Sequence, residues 1–250
     1  MNKAFCRKRC IFSFLLTGCL IFFNLSCGLD TFYVLSGPSN VIHQPTWERN
    51  DYVDNYFEFF IVDKPNKSIK FLGTEVYYKI YKNPNTLNSD VSNLTQMASK
   101  NDYSTSAAEA LIDTRYQYFP LRAAGYEDKV VLFPARPRDP DDETESSYKI
   151  SIRLSDYRGV YFSNITMDGK HPYNSDDTSR LIPVRKRPGS PTFNFTATNI
   201  PEDGNEDYKS NGTSSDFYVS MFAVAIGQDS TYSPVYSNIL YLGSVRIPVE

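Results

Sequence analysis

The sequence predicts a mainly β fold, an antiparallel β-sandwich. Aromatic side chains are abundant, with 19 Tyr and 17 Phe among 250 residues, and aromatic and β-branched residues suit the half-buried surface of a pleated strand. Several short stretches alternate in polarity or run densely aromatic. Turn pairs such as Asp168-Gly169, Pro188-Gly189 and Asp203-Gly204 separate them, and long helical periodicities are missing. Many short strands with polar turns bury their apolar sides most simply as two packed sheets.

The elements follow in order. Residues 56–62 (YFEFFIV) read as the first core strand. Residues 74–81 (TEVYYKIY) alternate, with Val76, Tyr78 and Ile80 on one face and Glu75, Tyr77 and Lys79 on the other. Further strands are expected at 129–133, 148–154, 160–162, 192–196, 217–226 and 238–242. Helix is confined to one region. Ser106-Ala107-Ala108-Glu109 fits a capping box ahead of Ala110, Leu111 and Ile112. Val91, Leu94 and Met97 share one helical face within 89–99. Both segments are expected to cross the end of the sandwich. The acidic stretch 138–145, bordered or interrupted by Pro134, Pro137 and Pro140, reads as a loop.

The N-terminus carries Lys3, Arg7, Lys8 and Arg9 and no acid, followed by 14 uncharged residues from Cys10 to Phe23. That run is shorter than the roughly 20 residues of a spanning helix and fits the apolar region of a signal peptide. Ser26 and Cys27 end it. This segment resembles bacterial, and especially spirochaete-type, lipoprotein signals. The resemblance implies that the peptide 1–26 is removed, that the Cys27 thiol is diacylated and that the new amine is often acylated too. The pattern departs from the family in having Asn24 where Leu is common, and Leu16-Thr17-Gly18-Cys19 is a competing site. Cys19 would leave Leu20-Ile21-Phe22-Phe23 on the mature chain. Two or three acyl chains, at about 0.8 kcal/mol per buried methylene, make release from a bilayer slow. All four cysteines (Cys6, Cys10, Cys19, Cys27) fall in the first 27 residues, so cleavage leaves no second thiol for a disulfide, a zinc site or a nucleophile.

Removal of the four N-terminal positive charges takes the formal charge from −3 to −7. A mildly acidic domain has no electrostatic footprint for nucleic acid or for an anionic membrane surface. The basic cluster Arg185-Lys186-Arg187, before Pro188-Gly189, reads as a solvated loop. The 224 residues after the signal allow one enlarged β domain, 27–250, or two small ones. No repeat or flexible linker appears, which favours one.

Two segments resemble the immunoglobulin-like and fibronectin type III families. T-E-V-Y-Y-K-I-Y is similar to their strand C. D-F-Y-V-S-M-F-A-V-A-I-G followed by S-P-V-Y-S-N-I-L-Y-L-G is similar to strands F and G, which implies that Tyr218, Phe222 and Val224 point inward. Such a sandwich has about 100 residues, so most of the excess is expected as an insertion around 83–190.

No nucleophile elbow, phosphate loop, dinucleotide fingerprint or H-E-x-x-H occurs. His43 and His171 read as packed or surface histidines. Asp203-Gly204-Asn205-Glu206-Asp207 starts like a calcium loop, but Tyr208 stands where the turn requires Gly and Ser214 where a bidentate Glu belongs. Asp176-Asp177 and 139–145 are no better patterned, and no metal or cofactor is expected. Trp47 reads as a cover for one end of the core, and Tyr173 and Tyr232 as ordinary loop residues. Sequons such as Asn194-Phe195-Thr196 matter only in a eukaryotic secretory route. The expected function is a non-enzymatic lipoprotein of the bacterial envelope, anchored by its acyl chains, whose sandwich loops meet a protein or polysaccharide. An accessory subunit of an envelope complex, or a hydrolase or carrier, are the alternatives.

Overall fold

Alternation along two 12-residue strands organises the molecule. A computed structural model describes residues 34–47, 53–63, 69–100, 105–137, 144–155, 161–174, 176–185, 195–196, 200 and 206–249. The strands are β1 (Ser39–His43), β2 (Phe57–Asp63), β3 (Lys70–Tyr81), β4 (Phe119–Ala123), β5 (Phe133–Pro134), β6 (Ser146–Arg153), β7 (Asn164–Met167), β8 (Pro183–Arg185), β9 (Tyr208–Lys209), β10 (Phe217–Gln228), β11 (Pro234–Tyr236) and β12 (Leu240–Ile247). Two helices, α1 (Pro84–Ala98) and α2 (Ser106–Ile112), lie between β3 and β4. The fold is mainly β and its ladders are antiparallel, save the short parallel pairing of β9 with β3.

The smaller sheet has the order β1-β2-β6-β7. In the larger sheet β3 and β10 pair along their whole lengths. The outer edge of β3 is covered in turn by β5, β4 and β9, and that of β10 by β11 and β12. Gly73 marks where β5 meets β3. Its φ is 141°, and a Cβ there would lie 2.1 Å from the Phe133 carbonyl oxygen, so only glycine allows this approach.

The core between the sheets is built by alternate residues. Phe57, Phe59 and Ile61 of β2 and Ile150 and Ile152 of β6 pack with Val76, Tyr78 and Ile80 of β3 and with Phe217, Val219, Met221 and Ala223 of β10. Burying each large side chain contributes roughly 2 kcal/mol. The opposite face of the larger sheet has its own core, in which Tyr77, Tyr81, Tyr218, Phe222 and Val224 meet Leu87, Leu94, Ala107, Ala108 and Leu111 of the helices. Two expectations are corrected here. The helices cover a sheet face rather than crossing the sandwich end, and Tyr218, Phe222 and Val224 point to the helices while their odd-numbered neighbours point inward.

α1 forms where Asn83 caps it, its Oδ1 accepting from the Asn85 N–H at 2.9 Å, with Pro84 at the first position. It starts five residues ahead of the expected segment. Leu87, Val91, Leu94 and Met97 form its apolar stripe. In α2 the capping box is displaced. Thr105 is the cap, and its hydroxyl donates to Glu109 Oε1 at 2.9 Å without bonding a backbone N–H. The strand expected at 129–133 is reduced to Phe133–Pro134, and Val130 is exposed. Val160 of the strand expected at 160–162 lies outside the described residues, and residues 164–167 form the strand that closes the smaller sheet. It ends in a turn whose central residues Asp168 and Gly169 both have positive φ. Within 83–190, β6 pairs with β2 along its full length.

Candidate functional site

Among the described residues, buried carboxylates pair with arginine at three places. The first lies on the helix-facing side of β3. Glu75 stands opposite Arg122 of β4, and the Arg122 Nη1 donates to its Oε2 at 2.6 Å. The Val76 N–H donates to Oε1 at 3.0 Å, and the Leu132 N–H also reaches the carboxylate. Burial pushes the Glu75 carboxyl up to about 7, against the opposing pull of the Arg122 charge and the three donors. An aromatic cluster adjoins the pair. Tyr126 stacks on Tyr173 at 4.6 Å, both meet the His171 ring edge-on, and the Lys129 ammonium lies 5.7 Å from the Tyr173 ring centre. His171 is buried and its Nδ1 accepts from the Tyr173 N–H. Tyr173 is therefore a packed residue and not a free loop side chain. A carboxyl that ionises near neutrality can hold a proton. Glu75 is 1% exposed, so here its donors join β3, β4 and the segment before β5.

The second place lies between the sheets. Arg185 and Asp207 are fully enclosed and form a two-pronged pair, Nε to Oδ2 and Nη2 to Oδ1, both 2.7 Å. The Tyr78 hydroxyl donates to Oδ2 at 2.7 Å, and the Asp207 carbonyl accepts from the Ile80 N–H. This overturns the reading of Arg185 as part of a solvated loop. It also gives Asp207, the last residue of the failed calcium pattern, a structural task. Lys186, Arg187 and 203–205 lie outside the described residues, as do most of 138–145 and 192–196.

The third place ties the segment after β1 to the start of β10 and the end of β12. Asp216 accepts from Arg246 and from the Val249 N–H, and the Arg246 Nη1 donates to the Trp47 carbonyl. Trp47 packs on Tyr218 and donates from Nε1 to Ser244 Oγ at 2.7 Å. It thus covers the helix-side core and the edge of β12, not the end of the inter-sheet core. His43 stacks on Tyr56 at 4.0 Å. Asp177 caps its own turn by accepting from the Ser179 N–H and hydroxyl. Among the described residues no three His, Cys, Asp or Glu side chains gather as a metal site, and no helix is long and apolar enough to cross a membrane.

Cys27 and the alternative Cys19 lie outside the described residues. Sequence reasoning missed all three of these ion pairs. A lone Arg or Asp at the end of a short strand carries no local sign of its partner. No protein-family model, curated protein or solved structure matches this chain.

Proposed function

We propose that this chain is a lipid-anchored protein of a bacterial envelope, held through Cys27 and presenting a β-sandwich to a protein or polysaccharide partner. The observation that carries the reading is the N-terminal segment: four basic residues, 14 uncharged ones, then Ser26-Cys27. The sandwich adds support. β3-β10-β12 run side by side as strands C, F and G do in an immunoglobulin-like domain, and β1-β2-β6 as strands A, B and E do. The place of strand D is taken by β7, which follows β6 instead of preceding it. Loops at the ends of such a sandwich are free to vary while the sheets hold them in place. The charge of −7 left after cleavage argues for a partner other than nucleic acid.

Cells fed radioactive palmitate should label the protein, and Cys27→Ala should abolish the label and release the chain to the soluble fraction. Label that survives Cys27→Ala and disappears in Cys19→Ala moves the anchor to Cys19. Absence of label in the parent protein refutes the reading. Protease digestion of intact cells then separates an outward-facing binder from an inward-facing component.

A further inference from the structure

The end of the fold that receives the N-terminal segment also carries the most exposed large hydrophobic side chain among the described residues. Leu35 is buried with Ile69, Ala225 and Val235. Its Cδ2 lies 3.6 Å from where a Cβ on Gly227 would stand. Gly227 pairs with Phe71 on one side and Val235 on the other, one step before β10 ends. From there the chain turns through 229–233 into β11.

That turn is built to hold its shape. Asp229 Oδ1 accepts from the Thr231 N–H at 2.8 Å, the Ser233 N–H at 2.9 Å and the Thr231 hydroxyl at 2.7 Å. The Asp229 N–H donates to the Ser233 carbonyl, and the Tyr232 N–H to the Asp229 carbonyl. These bonds keep Tyr232 at φ 64°, a left-handed conformation that disfavours a residue with a Cβ. The ring is 80% exposed. Val34 and Lys70 are exposed at the same end, Lys70 pairing with Gln228.

We propose that this end of the domain faces the bilayer and that Tyr232 rests in the lipid headgroup region, fixing the orientation of the anchored protein. The inference rests on the anchor at Cys27. Cys27 precedes Val34 by seven positions, and a chain of that length spans at most about 25 Å. The end bearing Val34 and Tyr232 is therefore the one an acyl chain holds near the membrane. A tyrosine is suited to that depth, with an apolar ring and a hydroxyl that keeps its water. The opposite end is far away. β3 runs from Lys70 to Tyr81, roughly 35 Å at strand rise. Just beyond it, a Cβ on Gly212 would lie 2.7 Å from the Lys82 carbonyl, which places the exposed Thr213 loop at that far end. Trp47, on Tyr218, is there too, because Tyr218 pairs with Tyr81.

The test uses the acylated protein purified from membranes and reconstituted into phosphatidylcholine–phosphatidylglycerol vesicles with and without brominated acyl chains. Tyr232→Trp should show a blue-shifted emission that is quenched by the brominated lipid. The parent, whose single tryptophan is Trp47, and Thr213→Trp should show neither change. A Tyr232→Trp signal that stays solvent-like, or equal quenching in Thr213→Trp, overturns the proposal while leaving the anchor standing. Failure of the parent to float with the vesicles, with Cys27→Ala indistinguishable from it, overturns the anchor and this orientation together.

Discussion

On the inter-sheet side of β3, Tyr78 meets the two-pronged ion pair of Arg185 and Asp207. On the helix side, Glu75, Lys79 and Tyr81 take part in contacts spread over several elements. Arg185 and Asp207 use both prongs of the guanidinium and both carboxylate oxygens, and neither reaches water. Glu75 has Arg122, which is 11% exposed, and two backbone donors. Further along, Lys79 donates to the Tyr116 carbonyl. Its ammonium is pulled down to about 8 by burial and by the Lys209 charge, against Asp90. One strand thus buries polar groups in two ways. A two-pronged pair concentrates its contribution in a few atoms, whereas a dispersed set divides it among many. The two should fail differently when a member is removed.

The largest effect is expected between the sheets. Arg185→Met leaves Asp207 charged in the core and should lower stability by roughly 3–5 kcal/mol, read as a shift of the urea unfolding midpoint. Adding Asp207→Asn removes that stranded charge while keeping an acceptor for Tyr78, and should recover most of the loss. A loss below about 1 kcal/mol, or no recovery in the double variant, would mean that Arg185 and Asp207 do not act as a unit.

On the helix side, pH is the sharper tool. The folded Glu75 carboxyl keeps its proton up to about 7, whereas its ordinary value is 4.5. Between those values the folded protein binds more protons than the unfolded chain. Stability from this group is thus full below pH 4.5, falls as pH rises to 7 and levels off above it. The total is about 3 kcal/mol at 1.36 kcal/mol per unit. Glu75→Gln cannot ionise, so it should trail the parent most at pH 5 and gain on it by pH 8. A parent–variant difference that is the same at both pH values would show that Glu75 does not titrate in this window.

The strands that were legible in the sequence are the long ones, either dense in aromatic and β-branched residues, such as YFEFFIV in β2, or alternating in polarity, such as TEVYYKIY in β3. Their pattern repeats enough to stand out. β4 was hidden because Pro120 interrupts F-P-L-R-A, and proline argues against a strand until an edge position is known. β8 and β9 are too short to show any period. The facing of β10 was misread for a different reason. F-Y-V-S-M-F-A-V-A-I-G is apolar at nearly every position because both faces are covered, so alternation could not say which set meets the other sheet. The two ion pairs depend on residues brought together by the fold. Arg185 and Asp207 are 22 positions apart, and Glu75 and Arg122 are 47 apart. Neither member of either pair has a partner nearby in sequence that would announce it.

The smallest expected effect tests the dispersed set most directly. Tyr118 Oη lies 3.1 Å from Tyr81 Oη and 3.2 Å from Ser220 Oγ, and Tyr81 Oη lies 3.0 Å from Asp90 Oδ2, which also meets Lys209 at 3.2 Å. Each hydroxyl has one proton to give, so a consistent chain runs from Ser220 through Tyr118 and Tyr81 to the Asp90 carboxylate. Tyr118→Phe keeps the ring, which packs edge-on against Phe222 at 5.3 Å, and removes only the middle link. The loss should be about 1 kcal/mol, because Tyr81 can still donate to Asp90 and the only donor left without its acceptor is the Ser220 hydroxyl. Ser220→Ala in that background should cost little more, since the stranded hydroxyl goes with it. A double-mutant cycle by urea unfolding reads this coupling. A Tyr118→Phe loss as large as that of Arg185→Met would erase the contrast between the two faces of β3, because the helix side would then also depend on a single link.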